Sequence, residues 1–348
     1  MNDRDTLLRE QVRFLGQEPD RLAAVRGREL YDTLESLGLT HSQFFQAAGT
    51  TAADYCAREF GVDLGRVTVE RFFQSDPDAR WLFPDIVRAA VMEGLHRKPV
   101  HPALTARDER VAGALYDMPH VVENEEAEEL RAVAEGARIP ESEITYGDRA
   151  IRLQKRGRGV LASYEAVRRM SVDLLRVHLR RIGERLGRDL DARLARVLVE
   201  GDGSAGSAPV VVPTATPGTL EFTDLVAGWL TLSLGHGFTP THLVAGGTLL
   251  GEILGMDRLH DNLLFDFAKS GELPSPMGMK LVPLADQPGG RVTLLDAGYA
   301  AQKVTEQDVL VESDKLIHQQ WERTCITVVT DFAILYEKAR VVVSTDAA

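Results

Sequence analysis

From Tyr164 to Glu200 the chain runs for 37 residues without a proline. Val167, Met170, Leu174, Ile182, Leu186, Leu190, Leu194 and Val197 recur three or four apart, except across His178. That is the period of one apolar stripe on a helix. Ser163 stands where an N-cap is needed, Glu165 lies near the positive helix end, and Gly201 in GDGSAGSAP stops the element. A helix of that length measures about 55 Å, more than the diameter of a small domain. It must therefore lie across the molecule as a spine, not inside one compact core. Leu174, Ile182, Leu186, Leu190 and Leu194 are its predicted packing residues. Gly183 and Gly187 each weaken a helix by about 1 kcal/mol against alanine, so a bend is expected there.

Charge is segregated around this element. Residues 150–200 hold 13 cationic residues, 12 of them arginine, against 6 acidic ones, a net of +7; with −12 on the whole chain, the remaining 297 residues carry −19. The segment LQKRGRGV (Leu153–Val160) concentrates Lys155, Arg156 and Arg158 on a glycine-loosened stretch just after Arg152. A nucleotide loop, a nucleic-acid patch and a protein–protein contact are the candidates for it. An acidic balance argues against a whole-surface nucleic-acid binder but leaves room for a local patch. A segregated dipole suits basic elements lying on acidic surfaces of neighbours; a solvated arginine-rich helix face is the alternative.

Around the long segment the chain changes character several times. Residues 1–75 read as polar and helical, with LTHSQFFQAAG and TTAADYCAREFG each opening on a capping hydroxyl and closing on glycine. They lack the basic face of a DNA-reading helix pair. WLFPDIVRAAVMEGL is apolar at helical spacing after a first-turn Pro84. Residues 121–143 are strongly acidic. Ile151 and Leu153, then Val160 and Ala162, alternate with polar neighbours as in a half-solvated ribbon. From Val210 the pattern becomes alternating α and β, with a hairpin expected at the PGG of GMKLVPLADQPGGRVTLLDAG and two final strands around EKAR.

Catalytic signatures are absent from the pattern. GDGSAGSAP follows a helix and lacks the GK[ST] of a phosphate loop, and LVAGGTLLGEILG lacks dinucleotide-loop spacing. The nine histidines form no H-E-x-x-H pair, and no serine sits in a G-x-S-x-G elbow. No cofactor, metal or catalytic residue is expected. Cys56 and Cys325 are too few for a disulfide framework or a cysteine zinc site. No apolar run is long enough to span a membrane, and the first residues show no apolar signal core.

The order of the pieces carries a resemblance. LFPDIVRAAVMEGL, AEGARIPESEI, RGVLASYEAVRR leading into the long helix and VLVEGDG, then MGMKLVPLAD with VTLLDAGYA, and finally TDFAILYEKARVVV together resemble the major capsid protein of tailed bacteriophages. That fold is shared with encapsulin shells and the floor domain of herpesvirus capsids. The resemblance implies an α+β chain. Residues 1–75 would be a helical N-terminal segment, either a scaffolding piece or retained. Residues 76–120 would be an extended N-terminal arm and 121–162 an extended loop reaching over an adjacent subunit. Residues 163–204 with 316–348 would be a peripheral domain with its spine helix, and 205–315 an axial domain.

The resemblance further implies a structural, non-enzymatic protein that assembles with itself, as hexamers and pentamers, into an icosahedral shell. The shell would enclose double-stranded DNA held without sequence preference, with portal, scaffolding and decoration proteins as further partners and no membrane. The location would be the virion, after assembly in the host cytoplasm. Arg152, Lys155, Arg156 and Arg158 would be inter-subunit contacts, their glycines letting the ribbon twist. Some members weld their shells through a loop lysine and a peripheral-domain asparagine. Here the asparagines are Asn2, Asn124 and Asn262, so no such crosslink is expected. The alternatives are an encapsulin-like compartment and a soluble α/β enzyme.

Overall fold

The computed structural model describes residues 45, 51, 54–57, 61–69, 71–72, 83–118, 120–122, 132, 135, 143–145, 150–204, 206–256 and 276–346. In chain order its principal helices are α1 (Phe83–Leu95), α2 (His101–Leu104), α3 (Tyr164–Arg169), α4 (Val172–Glu200), α5 (Phe222–Leu230) and α6 (Gly247–Leu254). The strands are β1 (Asp108–Arg110), β2 (Leu115–Asp117), β3 (His120–Val122), β4 (Glu143–Thr145), β5 (Ala150–Arg152), β6 (Gln154–Ser163), β7 (Val210–Pro213), β8 (His242–Ala245), β9 (Lys280–Pro283), β10 (Arg291–Leu295), β11 (Ala301–Leu316), β12 (Trp321–Ile334) and β13 (Arg340–Ser344). This is an α+β chain of two compact units. One comprises Met1–Lys98, Arg156–Gly187 and Val309–Val328; the other comprises Pro99–Lys155, Arg188–Asp308 and Val329–Ala348. α4, β11 and β12 each contribute to both units.

In the first unit, the apolar face of α1 (Phe83, Ile86, Val87, Ala90, Val91) meets Val172 and Leu179 of α4 and Val309, Ile326 and Val328 of the strands. Phe45, Tyr55, Cys56, Val62, Leu64, Val69 and Phe72 complete the same core. Residues 83–95 are thus an amphipathic helix with a buried apolar face, because their apolar side chains recur at helical spacing. Burial pushes the Cys56 thiol up to about 12, which leaves it inert.

The spine is shorter than its sequence pattern predicts. α3 starts on Ser163, whose hydroxyl accepts from Ala166 N at 3.2 Å. It ends at Met170, where the backbone turns extended (φ −80, ψ 133). Met170 O accepts from Val69 N, Val172 N donates to Val67 O, and Ser171 bridges Thr68. Ser171 Oγ then caps the new helix by accepting from Leu174 N at 3.2 Å. The chain thus exchanges two helical bonds for a short ladder with the N-terminal segment. α4 has 29 residues, or about 43 Å. The break resets the helical phase: Val172, Leu175, Leu179, Ile182 and Leu186 face the first core, whereas Leu174 is 47% exposed. Leu174 therefore lies outside this core of described residues. Leu190 and Leu194, expected on the same stripe, are buried in the second unit.

Gly183 and Gly187 do not interrupt α4. A Cβ on Gly183 would stand 2.0 Å from Val91 O, and one on Gly94 of α1 would stand 1.9 Å from Arg180 O. The two helices touch backbone to backbone at this glycine pair, which is the use the sequence makes of them.

In the second unit, a five-stranded sheet has the order β7-β13-β10-β8-β9. β13 is central enough to be buried along its whole length, which fits its uninterrupted Val341, Val342, Val343 run. α5 and α6 cover the sheet through Leu225, Leu249 and Ile253, and Leu232 of the turn after α5 joins them. The hairpin expected at PGG is not formed: β8 lies between β9 and β10, parallel to the first and antiparallel to the second. A ribbon of β2 with β5 and β3 with β4 completes the unit. Its base is fixed by Met118, Ile151 and Leu153 packing on Val304, Val329 and Ala333.

Candidate functional site

The basic segment falls on two strands. Arg152 is in β5, exposed, with Leu115 of β2 as its cross-strand partner. Lys155, Arg156 and Arg158 are in β6, the edge of a four-stranded sheet ordered β1-β11-β12-β6. The described ribbon strands are thus β2 with β5 and β3 with β4, and β6 lies beside β12 of its own chain. LQKRGRGV is not the far arm of a loop. Its hydrophobic signal could not say so, because an edge strand and a free ribbon both read as half-solvated. Gly157 is required by close approach: a Cβ there would meet Thr327 Cγ2 at 2.8 Å and Ile326 O at 2.9 Å. Lys155 and Arg158 are exposed, whereas Arg156 is half-buried and has a partner within the chain. The acidic run 123–131 lies outside the described residues.

Among the described residues β6 is the edge strand of its sheet, and Lys155 and Arg158 stand exposed on it. On β11 the exposed positions alternate through Glu306, Asp308, Leu310, Glu312 and Asp314. Asp308 pairs with Arg110 at 2.6 Å and Asp314 with Arg323 at 3.2 Å.

Apolar side chains break the surface in both units. In the first these are Leu161, Leu174, Val177, Leu310 and Trp321. In the second, the helix after α5 widens into a π-helical turn over Thr231–Gly235 that leaves Leu234 77% exposed. Phe238, Tyr299 and Tyr336 form a ring cluster nearby in the chain's fold, with centroids 5.7–6.1 Å apart, and Tyr299 is 51% exposed. Sequence reasoning missed these residues. The available signal was Leu234 standing on the polar side of an otherwise amphipathic run.

Polar contacts lock α4 into the second unit. Buried Asp191 accepts from Val100 N and His101 N and stands 2.8 Å from His101 Nδ1, holding the start of α2. Arg193 forks onto Asp331 at 2.7 and 3.3 Å. At the end of α4, Arg340 Nε donates to Leu198 O at 2.9 Å and Arg340 Nη2 donates to Ser207 O. Asp202 accepts from Ile334 N at 2.8 Å and from Ser204 N at 2.9 Å. Burial raises the Asp202 pKa, but the Ile334 and Ser204 bonds outweigh it and hold the group below its ordinary 3.8. Its contribution to stability is therefore complete at neutral pH and lost as pH falls through the folded value. Asp202→Asn is expected to flatten the steepest part of the acid-unfolding profile, read by circular dichroism; an unchanged profile would remove Asp202 from this account.

Among the described residues no group of His, Cys, Asp and Glu could hold a metal ion, and no helix is long and apolar enough to cross a membrane. What the geometry offers is a set of surfaces: a cationic strand edge, an acidic strand face and scattered apolar side chains.

A family model described as phage capsid protein matches residues 146–343, which takes in α3 to α6 and β6 to β12 and all but the last residue of β13. No curated protein matches the sequence. Among solved structures, the virus-like particle from Pyrococcus furiosus is similar at 13% identity and a TM-score of 0.51, with 75% of this chain and 98% of that one covered. The capsid of a native GTA particle is similar at 15% identity and 0.53, covering 71% and 89%. Mycobacterium phage Che8 is similar at 14% identity and 0.51, covering 71% and 92%. At these identities the likeness concerns the fold, an α+β capsid fold. The family match spans more than half of the sequence, and it includes both the spine helix and the cationic edge strand: the chain belongs to the phage capsid protein family.

Proposed function

We propose that this structural capsid protein is the major shell subunit of a tailed bacteriophage, assembling as hexamers and pentamers into an icosahedral shell around double-stranded DNA. The observation that carries the reading is the exposure of large apolar side chains on both units, led by Leu234 at 77%, Leu115 at 62% and Leu161 at 56%. Copies of the chain laid edge to edge would remove these from water, each fully covered side chain contributing about 1.5–3 kcal/mol. Repetition of one contact over a closed surface then sums small terms into a stable assembly. In this reading the five-stranded sheet with α5 and α6 is the axial domain, and the first unit is the peripheral one. The ribbon and β6 meet neighbours, and Arg152, Lys155 and Arg158 are the contacting cations. Arg156, half-buried on the same strand, is the fourth. Assembly would take place in the host cytoplasm, with portal, scaffolding and decoration proteins joining there.

Electron microscopy of the purified chain should show closed particles containing nucleic acid. A stable monomer at micromolar concentration under assembly conditions would refute the reading, and particles holding a co-purified enzyme would turn it toward a cargo compartment. Reversing Lys155 and Arg158 to glutamate is expected to lower particle yield by at least tenfold with unchanged circular dichroism. Normal yield from that variant would remove the β6 cations from the interface.

A further inference from the structure

The solvent face of α4 carries a line of four arginines, of which the described fold engages only the first. Arg181, Arg185, Arg188 and Arg196 are spaced by four, three and eight residues, so helical geometry places them on one side, opposite the buried Leu190, Leu194 and Val197. All four are exposed. Arg181 is held by Glu184 at 2.6 Å, and Arg97 shares that carboxylate. These two bonds keep Glu184 ionised, its pKa lowered by Arg181 first and Arg97 second. Arg185, Arg188 and Arg196 make no ion pair with any described residue. Asp189, exposed beside them, is the acid next to the line, and Glu200 stands at the helix end.

Three unpaired guanidinium groups along about 16 Å of one helix are a repulsive arrangement. It stands in a chain whose other segments are strongly acidic, so general solubility does not account for it. We infer that this face binds the phosphate backbone of nucleic acid, without sequence preference. The inference rests on the reading of the chain as a shell around a genome and names the surface that touches it.

The chemistry favours a nucleic acid over a second protein. Between Arg181 and Arg196 the exposed positions of this face hold arginines, Asp189 and the half-exposed Ala192, with no large apolar side chain. A protein interface concentrates apolar and aromatic anchors at its centre and thins out charge there. Phosphate recognition needs only cations that can approach closely. Arginine suits it better than lysine, because its weakly hydrated planar fork pairs with phosphate oxygens two at a time. A duplex carries about one charge per 1.7 Å of axis, so a 16 Å line meets phosphates in any register.

The test measures binding of a short DNA duplex to the purified unassembled full chain by fluorescence anisotropy, between about 50 and 200 mM salt. Three phosphate contacts give a slope of log K against log salt of about −2.7, which is about a 40-fold loss of affinity across that range. The variant Arg185→Gln, Arg188→Gln, Arg196→Gln should lose that slope while forming particles as before. The single variant Arg188→Gln should lose about one third of it, and a triple lysine variant should retain it. An unchanged slope in the glutamine variant overturns the inference. So does a glutamine variant with native circular dichroism that no longer forms particles, because the line would then be a contact between copies, the acidic segment 123–131 being the obvious counterpart. If the native chain forms no particles at all, the shell reading fails, whatever the salt slope shows.

Discussion

Gly183→Ala is expected to destabilise the chain by about 2 kcal/mol, read as a lowered urea midpoint, whereas Gly187→Ala four residues on should be neutral or stabilising. The contrast follows from what each new methyl group would meet. At Gly183 it would stand 2.0 Å from Val91 O and 2.8 Å from Leu95 N. Both are backbone atoms of α1, so no side chain can rotate away, and the helices must move apart by more than an ångström. Gly94 faces the same restriction from the opposite side. Separation thins the contacts of Ala90, Val91 and Leu179, all at most 2% exposed. Overpacking of this kind costs about 1–3 kcal/mol, occasionally more. Alanine's better helix propensity returns about 1 kcal/mol. At Gly187 the new methyl group would lie 3.3 Å from Leu95 O, close enough to be absorbed, so the propensity gain prevails. Equal midpoints for the two variants would show that the glycine crossing does not hold α1 in place.

These glycines also illustrate what one-dimensional pattern can and cannot convey. The length and amphipathicity of α4 were readable because helical periodicity is local. Its start was not. Met170 and Ser171 contain no glycine or proline, and the break there comes from hydrogen bonds to Val67 and Val69, about a hundred residues earlier in the chain. An error of one phase at that break put Leu174 on the buried side. The same limit applies to LQKRGRGV. Its alternation and charge were legible, but its pairing with β12 depends on residues more than 160 positions later. β9 and β10 show the limit again: a turn between two strands suggests a hairpin, and only the insertion of β8 decides otherwise. The order of the pieces survived all these local errors, because it depends on element type and sequence spacing and not on partners. The arginines of α4 were visible as composition, but that Arg185, Arg188 and Arg196 pair with no described residue became visible only beside Arg180, Arg181 and Arg193, which do.

Arg340→Met should be at least as costly, about 3 kcal/mol, and should be felt at the junction of α4, the GDGSAGS turn and β13. Arg340 is fully buried, and its guanidinium donates to Leu198 O near the end of α4 and to Ser207 O beyond the turn. Methionine fills most of the volume but leaves both carbonyls without a donor, at about 1–3 kcal/mol each when buried. It also leaves Asp202 and Glu337 without the positive charge whose attraction supports it. Burial itself opposes the cation, lowering its pKa to about 10. The net worth of the group is therefore less than the cost of removing it, as holds for buried charges generally. Arg340→Lys separates the two contributions: it keeps the charge but cannot span two carbonyls with one planar fork, so it should recover only part of the loss. The double variant with Asp202→Asn should be less destabilised than the sum of its parts by about 1 kcal/mol, since the residues share the same turn. Thermal unfolding of the native chain and these four variants measures this directly. Strict additivity, or full recovery by lysine, would mean that Arg340 acts through charge or bulk alone and not as the clasp that closes the spine's end onto the sheet.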